Sequence, residues 1–158
     1  MLAEDDFIVS KTDTKGRITY VNKIFMDLAE YDEEQLLGKP HKIVRHPDMP
    51  RAVFKLLWDR IQAKEEIFAY VINKTSQGNH YWVFANVTAS LDTNGRIIGY
   101  YSVRRKPKEH ALELIKPVYA KMLQIEKAQG MEASMKYLTD LLFEQGVSYD
   151  EFIIGLQK

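Results

Sequence analysis

Hydrophobic and polar positions alternate in five stretches of the chain, which predicts five β-strands. Residues 7–13 and 17–21 are β-branched and aromatic runs separated by a turn that ends at Gly16, the pattern of a β-hairpin. Three longer strands are predicted at residues 67–73, 79–90 and 96–104. The last two are joined through Asn94-Gly95, a dipeptide typical of hairpin turns.

A helical periodicity separates the second predicted strand from the third. Asn22 is suited to cap a short helix that runs to about residue 30, and residues 33–37 form a further turn before Gly38 and Pro40. A longer amphipathic helix is predicted from residue 51 to about residue 63, with one apolar face made of Val53, Phe54, Leu57, Trp58 and Ile61. The order predicts an α+β fold, a five-stranded antiparallel sheet with helices on one face.

After Pro107 the strand pattern ends and only helical stripes remain. Breaks at Gly130 and Gly146, and a capping box of Ser148 with Glu151, divide this part into three helices. Helices this short bury little by themselves, so they are expected to pack on the sheet, on a second copy of the chain, or on a partner. We therefore predict a compact α+β domain over residues 1–106 and a C-terminal helical extension over residues 107–158.

Composition and charge narrow the function classes. The 158 residues carry 22 Lys and Arg against 22 Asp and Glu, a balance that argues against nucleic-acid binding and against direct insertion into an anionic membrane. The chain has no cysteine, which excludes disulfides, thiolate metal sites and cysteine nucleophiles. The acidic first residues and the lack of a long apolar run predict a cytoplasmic protein.

The most unusual local sequence is residues 41–50, where Arg45, His46 and Asp48 lie between two prolines. Prolines keep such a segment out of regular helix, so it can present several polar groups to one ligand. The alternative is a solvated loop whose Asp48 caps the helix that begins near Pro50. A metal site is disfavoured, because His41 and His46 are five residues apart and do not share a helical face.

Two predicted strands carry further candidates. Alternation places Trp82 on a bulky aromatic face with His80, Phe84 and Asn86, which suits either a flat cofactor or ordinary packing against helices. Asn73 shares a face with Val71. If that face is buried, its amide matches the donor and acceptor edge of a flavin-like ring; otherwise Asn73 only begins the following loop.

At this point several motifs together resemble the PAS sensor domain of Aer-type bacterial aerotaxis receptors. The resemblance covers about residues 7–106, and its most specific motif is Arg45-His46-Pro47-Asp48-Met49-Pro50. The other residues that carry it are 18–22, 25, 38–41, 54, 58, 80–83, 85–86 and 99–104. It implies a PAS fold and a non-covalently bound FAD used as a redox sensor. The residues that the resemblance assigns to FAD binding are Asn22, Arg45, His46, Asp48, Phe54, Trp58 and Asn73.

The sequence departs from that family at two places. A tryptophan common near the start of the third strand is Ile67 here, and the family's basic stretch after Asn73 is Lys74-Thr75-Ser76-Gln77. Loss of the tryptophan removes a stacking surface. This departure predicts weaker flavin binding or a different ligand.

The architecture also implies a partner. A PAS domain followed by 52 helical residues resembles the separate PAS half of bipartite energy-taxis receptors, known from bacteria related to Campylobacter. That resemblance implies a membrane-bound methyl-accepting-type transducer with a HAMP domain as partner, recruitment to the inner face of the membrane by that partner, and leaves a homodimer open. The tail helices and the outer face of the sheet are the expected contact surfaces.

Three functions remain open at the level of the sequence. The first is the FAD redox sensor, the second a haem gas sensor with one of the four histidines on iron, and the third a ligand-free interaction module. An enzyme is not expected, because the sequence has no nucleophile motif, no phosphate-binding glycine loop and no metal-ligand spacing. The absent cysteine also excludes light sensing through a cysteinyl–flavin adduct.

Overall fold

A computed structural model describes residues 2–158 and confirms the predicted α+β fold. Its strands are β1 (Ile8–Thr12), β2 (Ile18–Val21), β3 (Ile67–Lys74), β4 (His80–Leu91) and β5 (Ile97–Arg105). All neighbours are antiparallel, and the sheet order is β2-β1-β5-β4-β3. The hairpin strands β1 and β2 therefore lie at one end of the sheet, and β3 forms the opposite edge.

Short helices cover one face of the sheet between β2 and β3. They are α1 (Lys23–Ala29), α2 (Glu33–Leu36), a 3₁₀ turn (His41–Val44) and α3 (Arg51–Gln62). The predicted cap is confirmed, because Asn22 accepts a hydrogen bond from the Phe25 amide at 3.1 Å. The predicted bounds of α3 hold to within one residue.

The start of α3 is not capped in the way that the sequence suggested. Asp48 is exposed, and no side chain of the loop bonds to the first turn. Instead Glu126, far along the chain, accepts hydrogen bonds from the amides of Arg51 at 2.9 Å and Ala52 at 3.1 Å. A buried carboxylate on free helix amides, at the positive end of the helix dipole, is a stabilising arrangement.

The C-terminal helices are α4 (Glu109–Gln129), α5 (Met131–Gln145) and α6 (Tyr149–Leu156). The capping box at Ser148 is confirmed. Of the three packing partners considered, the structure shows the sheet itself: α4 and α6 lie against its outer face near β3 and β4, while α5 contacts α3.

The division of the chain at about residue 106 stays a prediction. No helix within residues 2–158 has both the length and the apolarity to cross a membrane.

The tail completes the exposed edge of the sheet. Because β4 is the only strand that pairs with β3, backbone groups along its free side have no strand partner, apart from the single bridge of Asn73 with Arg45. Tyr119 of α4 donates a hydrogen bond to the Tyr70 carbonyl at 2.6 Å, and Tyr149 donates one to the Phe68 carbonyl at 2.7 Å. Two tyrosine hydroxyls thus replace part of a sixth strand and fix the tail to the edge.

These two hydroxyls are expected to contribute measurably to stability. Tyr119→Phe and Tyr149→Phe each leave a strand carbonyl without its partner, which costs about 1–3 kcal/mol of the free energy of unfolding. Urea unfolding measures the loss, and Tyr20→Phe is the control, because the Tyr20 side chain on β2 is 46% exposed. Losses no larger than that of the control would contradict the role of the hydroxyls.

Candidate ligand-binding cavity

A cavity of about 350 Å³ lies between α3 and the inner face of the sheet. This volume falls in the range of small-molecule sites, roughly 300–1,000 Å³. Its lining comes from α3, from the loop before it, and from four of the five strands. The cavity is therefore built by the part of the chain that the resemblance covers, and the tail does not line it.

The walls of the cavity are apolar and partly aromatic. The helix wall carries Phe54, Leu57, Trp58 and Ile61, and the sheet wall carries Val71, Ala85 and Val87. Tyr100 of β5 meets Trp58, with their ring centroids 5.3 Å apart. Two opposed apolar walls suit a flat ring system.

Arg45 and Asn73 bring polar groups into this apolar slot. The backbones of these two residues form an isolated antiparallel bridge, so the loop is held beside the end of β3. The Arg45 guanidinium lies 3.9 Å from the centre of the Phe54 ring, and burial lowers the pKa of Arg45. Asn73 is 4% exposed and lines the cavity, because strand alternation places it with Val71 on the inner face.

His46 and Asp48 do not reach the cavity lining. The Nδ1 atom of His46 accepts a hydrogen bond from the Asp48 amide at 3.0 Å, and its ring meets that of His80 at 5.8 Å between centroids. The Asp48 side chain is 72% exposed. The two residues stiffen the turn that follows Arg45 rather than facing the cavity.

Asn22 is also placed outside the cavity lining. Its Oδ1 accepts hydrogen bonds from the amides of Val9 and Phe25, both at 3.1 Å, and its Nδ2 donates to the Phe7 carbonyl at 2.9 Å. One amide side chain therefore ties β1 to the first turn of α1.

Trp82, which the sequence suits to either a cofactor or packing, lies outside the cavity lining. Trp82 pairs with Ile72, on the face of the sheet opposite the cavity. Its ring packs against Tyr119 of α4, with centroids 5.9 Å apart. The aromatic face of β4 thus packs against the tail.

Ile67, where the family carries a tryptophan, is fully buried and lies outside the cavity lining.

The structure brings a polar cluster to the cavity that the sequence reasoning missed: Ser10, His41 and Arg104. Arg104 Nη2 donates to Ser10 Oγ at 2.5 Å, and its Nη1 lies 3.2 Å from His41 Nε2. Burial, together with the nearby Arg104 charge, lowers the pKa of His41 to about 3. The alternation of Tyr100, Ser102 and Arg104 on one face of β5 is the sequence signal that points to this cluster.

The donor set of the cavity suits an organic ligand. Within residues 2–158 no group of three or more His, Asp or Glu residues could hold a metal ion. The cavity offers apolar faces for a ring, an amide and two guanidinium groups for its edge, and hydroxyls from Ser10 and Ser102. A planar heteroaromatic ligand with hydrogen-bonding edges fits these residues.

Comparison with known proteins gives the chain clear relatives. The PAS-fold family matches residues 4–106. The aerotaxis receptor of Escherichia coli (strain K12) is 36% identical over 118 residues, which are 75% of this chain and 23% of that receptor. A nitrogen fixation regulatory protein of Klebsiella pneumoniae is 25% identical over 105 residues, 66% of this chain and 21% of the regulator. The chain thus spans less than a quarter of either relative.

Solved structures agree on the fold. The light state of the blue-light photoreceptor Aureochrome1 LOV domain aligns with a TM-score of 0.58 at 27% identity, covering 80% of this chain and 93% of that one. A light-oxygen-voltage domain studied with a flavin analogue aligns with a TM-score of 0.61 at 19% identity, covering 70% of this chain and 83% of that one.

The neutral state of His41 predicts a dependence of stability on pH. Between about pH 6.5, the ordinary pKa of histidine, and about 3, the unfolded chain binds a proton that the folded protein does not. The free energy of unfolding should therefore fall as the pH falls, by up to about 1.4 kcal/mol per pH unit from this residue.

Chemical unfolding measured between pH 7 and pH 4 tests this expectation. His41→Gln removes the titrating ring and should flatten the profile, whereas His110→Gln, at an exposed position on α4, controls for loss of any histidine. Equal slopes for the wild type and His41→Gln would contradict the assignment.

Proposed function

The chain belongs to the PAS-fold family, and from this premise we propose that it is a redox sensor that binds FAD non-covalently in the cavity and signals to a separate protein. The similarity to the aerotaxis receptor confirms the resemblance to Aer-type PAS domains. The PAS fold and that kinship make the chain a sensor domain of signal transduction.

The observation that carries the proposal is the shape and chemistry of the cavity. Phe54 and Trp58 form one face of a slot, and Asn73 and Arg45 lie at its polar edge. Bound flavin would supply a flat ring whose electron content and hydrogen-bonding pattern change on reduction. The residues of this chain would hold that ring between apolar walls, shield it from water, and oppose its edge with an amide that both donates and accepts.

The other residues assigned by resemblance take supporting roles in this proposal. Asn22 fixes the start of α1, and His46 with Asp48 shapes the turn after Arg45. Their loss would act on ligand binding through the position of the loop. This separates contact residues, namely Arg45, Phe54, Trp58 and Asn73, from positioning residues.

The haem alternative has less support. Among the four histidines only His41 lines the cavity, and its Nε2 already faces Ser10 Oγ at 3.0 Å and Arg104 Nη1 at 3.2 Å. A haem iron bound at that nitrogen would have to displace both contacts. The absence of cysteine excludes a cysteinyl–flavin adduct.

We further propose that a change in the redox state of the ligand is transmitted from the cavity through α3 to the tail. The helix that lines the cavity is capped by Glu126 of α4, and Arg60 of α3 bonds to Asp150 of α6 at 3.1 Å. Movement of α3 would therefore change the docking of the tail. A membrane-bound chemotaxis transducer with a HAMP domain is the partner that the Aer-type kinship suggests, with the sensor in the cytoplasm at the inner face of the membrane.

The absorption spectrum of the purified protein tests the ligand directly. We expect flavin bands, with FAD released on denaturation. Asn73→Ala removes the amide at the edge of the cavity and should weaken FAD binding about tenfold, the equivalent of 1.4 kcal/mol. Asn79→Ala is the matched control, because Asn79 is exposed and lies outside the cavity.

Two results would contradict this proposal. An intense haem band in the spectrum would identify haem, and not FAD, as the ligand. A colourless protein that takes up no FAD after refolding with excess cofactor would favour a ligand-free interaction module. Normal FAD affinity in Asn73→Ala would remove Asn73 from the contact residues.

The proposed output route predicts a redox-dependent tail. In the wild type, amide hydrogen exchange in α4 and in the first turn of α3 should differ between the oxidised and the reduced protein. Glu126→Ala removes the cap, an interaction worth about 1 kcal/mol, and should abolish most of that difference, whereas Glu132→Ala, at an exposed position on α5, should retain it. An identical exchange pattern in both redox states of the wild type would place the output surface elsewhere.

A further inference from the structure

Arg104 is a buried cation without a carboxylate partner. It is 3% exposed on β5, and none of the ion pairs within residues 2–158 includes it. Its Nε atom is buried with no hydrogen-bond partner. Buried charges in folded proteins are ordinarily paired, because removing an ion from water costs several kcal/mol.

The groups that do contact Arg104 are all uncharged. Ser10 Oγ accepts from Nη2 at 2.5 Å, and the neutral His41 ring presents Nε2 to Nη1 at 3.2 Å. The Phe25 ring lies 5.1 Å from the guanidinium carbon, a cation–π distance. These contacts orient the guanidinium and leave its charge uncompensated. Burial lowers the pKa of Arg104 to about 10, which still leaves it charged at neutral pH.

The same side chain lines the cavity. Arg104, His41 and Ser10 form one corner of the lining, which we call the Arg104 corner. A guanidinium is a rigid fork of donors that matches planar acceptors such as carboxylates and paired carbonyl edges. An unpaired fork at a cavity wall is therefore a recognition element for a ligand that brings the missing acceptor.

We infer that the Arg104 corner is a binding subsite for an anionic or acceptor-rich planar edge of the ligand that occupies the cavity. The inference deepens the proposed function, because a flavin ring presents carbonyl oxygens and ring nitrogens of this kind. A small carboxylate offers the same chemistry, so the two sources have to be separated by experiment. The corner is drawn from β1, β5 and the 3₁₀ turn at His41, whereas Arg45 follows that turn and Asn73 lies on β3.

A subsite of this kind makes the ligand-free and ligand-bound proteins respond oppositely to loss of the charge. Replacing an unpaired buried ion by an apolar side chain of similar size is expected to stabilise the ligand-free protein. The same replacement removes the donors that meet the ligand. If Arg104 were purely structural, the same replacement would instead lower the stability of the ligand-free protein and leave its affinity for the ligand unchanged.

The test compares Arg104→Met with Arg104→Lys in the full chain, after removal of bound ligand. The two replacements have similar volume and differ in charge. We expect a higher thermal midpoint for ligand-free Arg104→Met than for Arg104→Lys, and FAD affinity at least tenfold weaker in Arg104→Met than in Arg104→Lys, measured by flavin fluorescence. Arg105→Met is the matched control, because the exposed Arg105 stacks over Phe84 on the outer face, and it should keep wild-type FAD affinity.

Either of two results overturns the inference. Equal FAD affinity in Arg104→Met and Arg104→Lys would show that the positive charge at this position does not contribute to FAD binding. A lower ligand-free thermal midpoint for Arg104→Met than for Arg104→Lys would show that the charge serves folding.

If the wild type binds no FAD, the proposed function fails, and the corner is tested separately. Acetate and inorganic phosphate are then added to the ligand-free protein. A rise in the thermal midpoint of the wild type that is absent from Arg104→Met supports an anion subsite, and no rise in the wild type overturns it.

Discussion

The alternation of side chains along β3 and β4 is the constraint on which the rest of the structure depends. Along β3, Val71 and Asn73 face the cavity, while Tyr70 and Ile72 face the helical tail. Successive residues of the strand therefore point alternately to the ligand side and to the tail side of the sheet. A slip of one residue in register would exchange them completely. This geometry places a ligand and a signalling surface on opposite sides of a single layer of backbone.

The tail is joined to the sensor part by polar contacts as well as by apolar packing. Tyr119 and Tyr149 satisfy carbonyls on the free edge of β3, and Glu126 satisfies the free amides at the start of α3. All of these backbone groups are left over by secondary structure itself, at a sheet edge and at a helix end. Contacts of this kind are specific in direction, so a small movement of β3 or α3 changes them more than it changes the surrounding apolar contacts.

Local sequence signals were reliable where the physics is local. The Asn94-Gly95 turn, the cap at Asn22 and the capping box at Ser148 all lie where the pattern predicted them. Predictions failed where a distant residue supplies the partner. Asp48 is a suitable cap by composition, but Glu126, 74 residues beyond Ala52, takes that role. The pattern around Trp82 suited a cofactor as well as packing, and only the tertiary structure shows that its ring packs on Tyr119 of the tail.

By itself the sequence determined the order and type of the elements and the α+β class, because periodicity, caps and turn residues act over a few positions. The resemblance to Aer-type PAS domains rests on its motifs. It also indicated Arg45, Phe54, Trp58 and Asn73, which the cavity brings together. Only the tertiary structure showed the union of Ser10, His41 and Arg104, drawn from β1, a loop and β5. Their joint burial lowers the pKa of His41 and leaves Arg104 without a carboxylate, and such electrostatics depend on which strands become neighbours, a choice that no local pattern encodes.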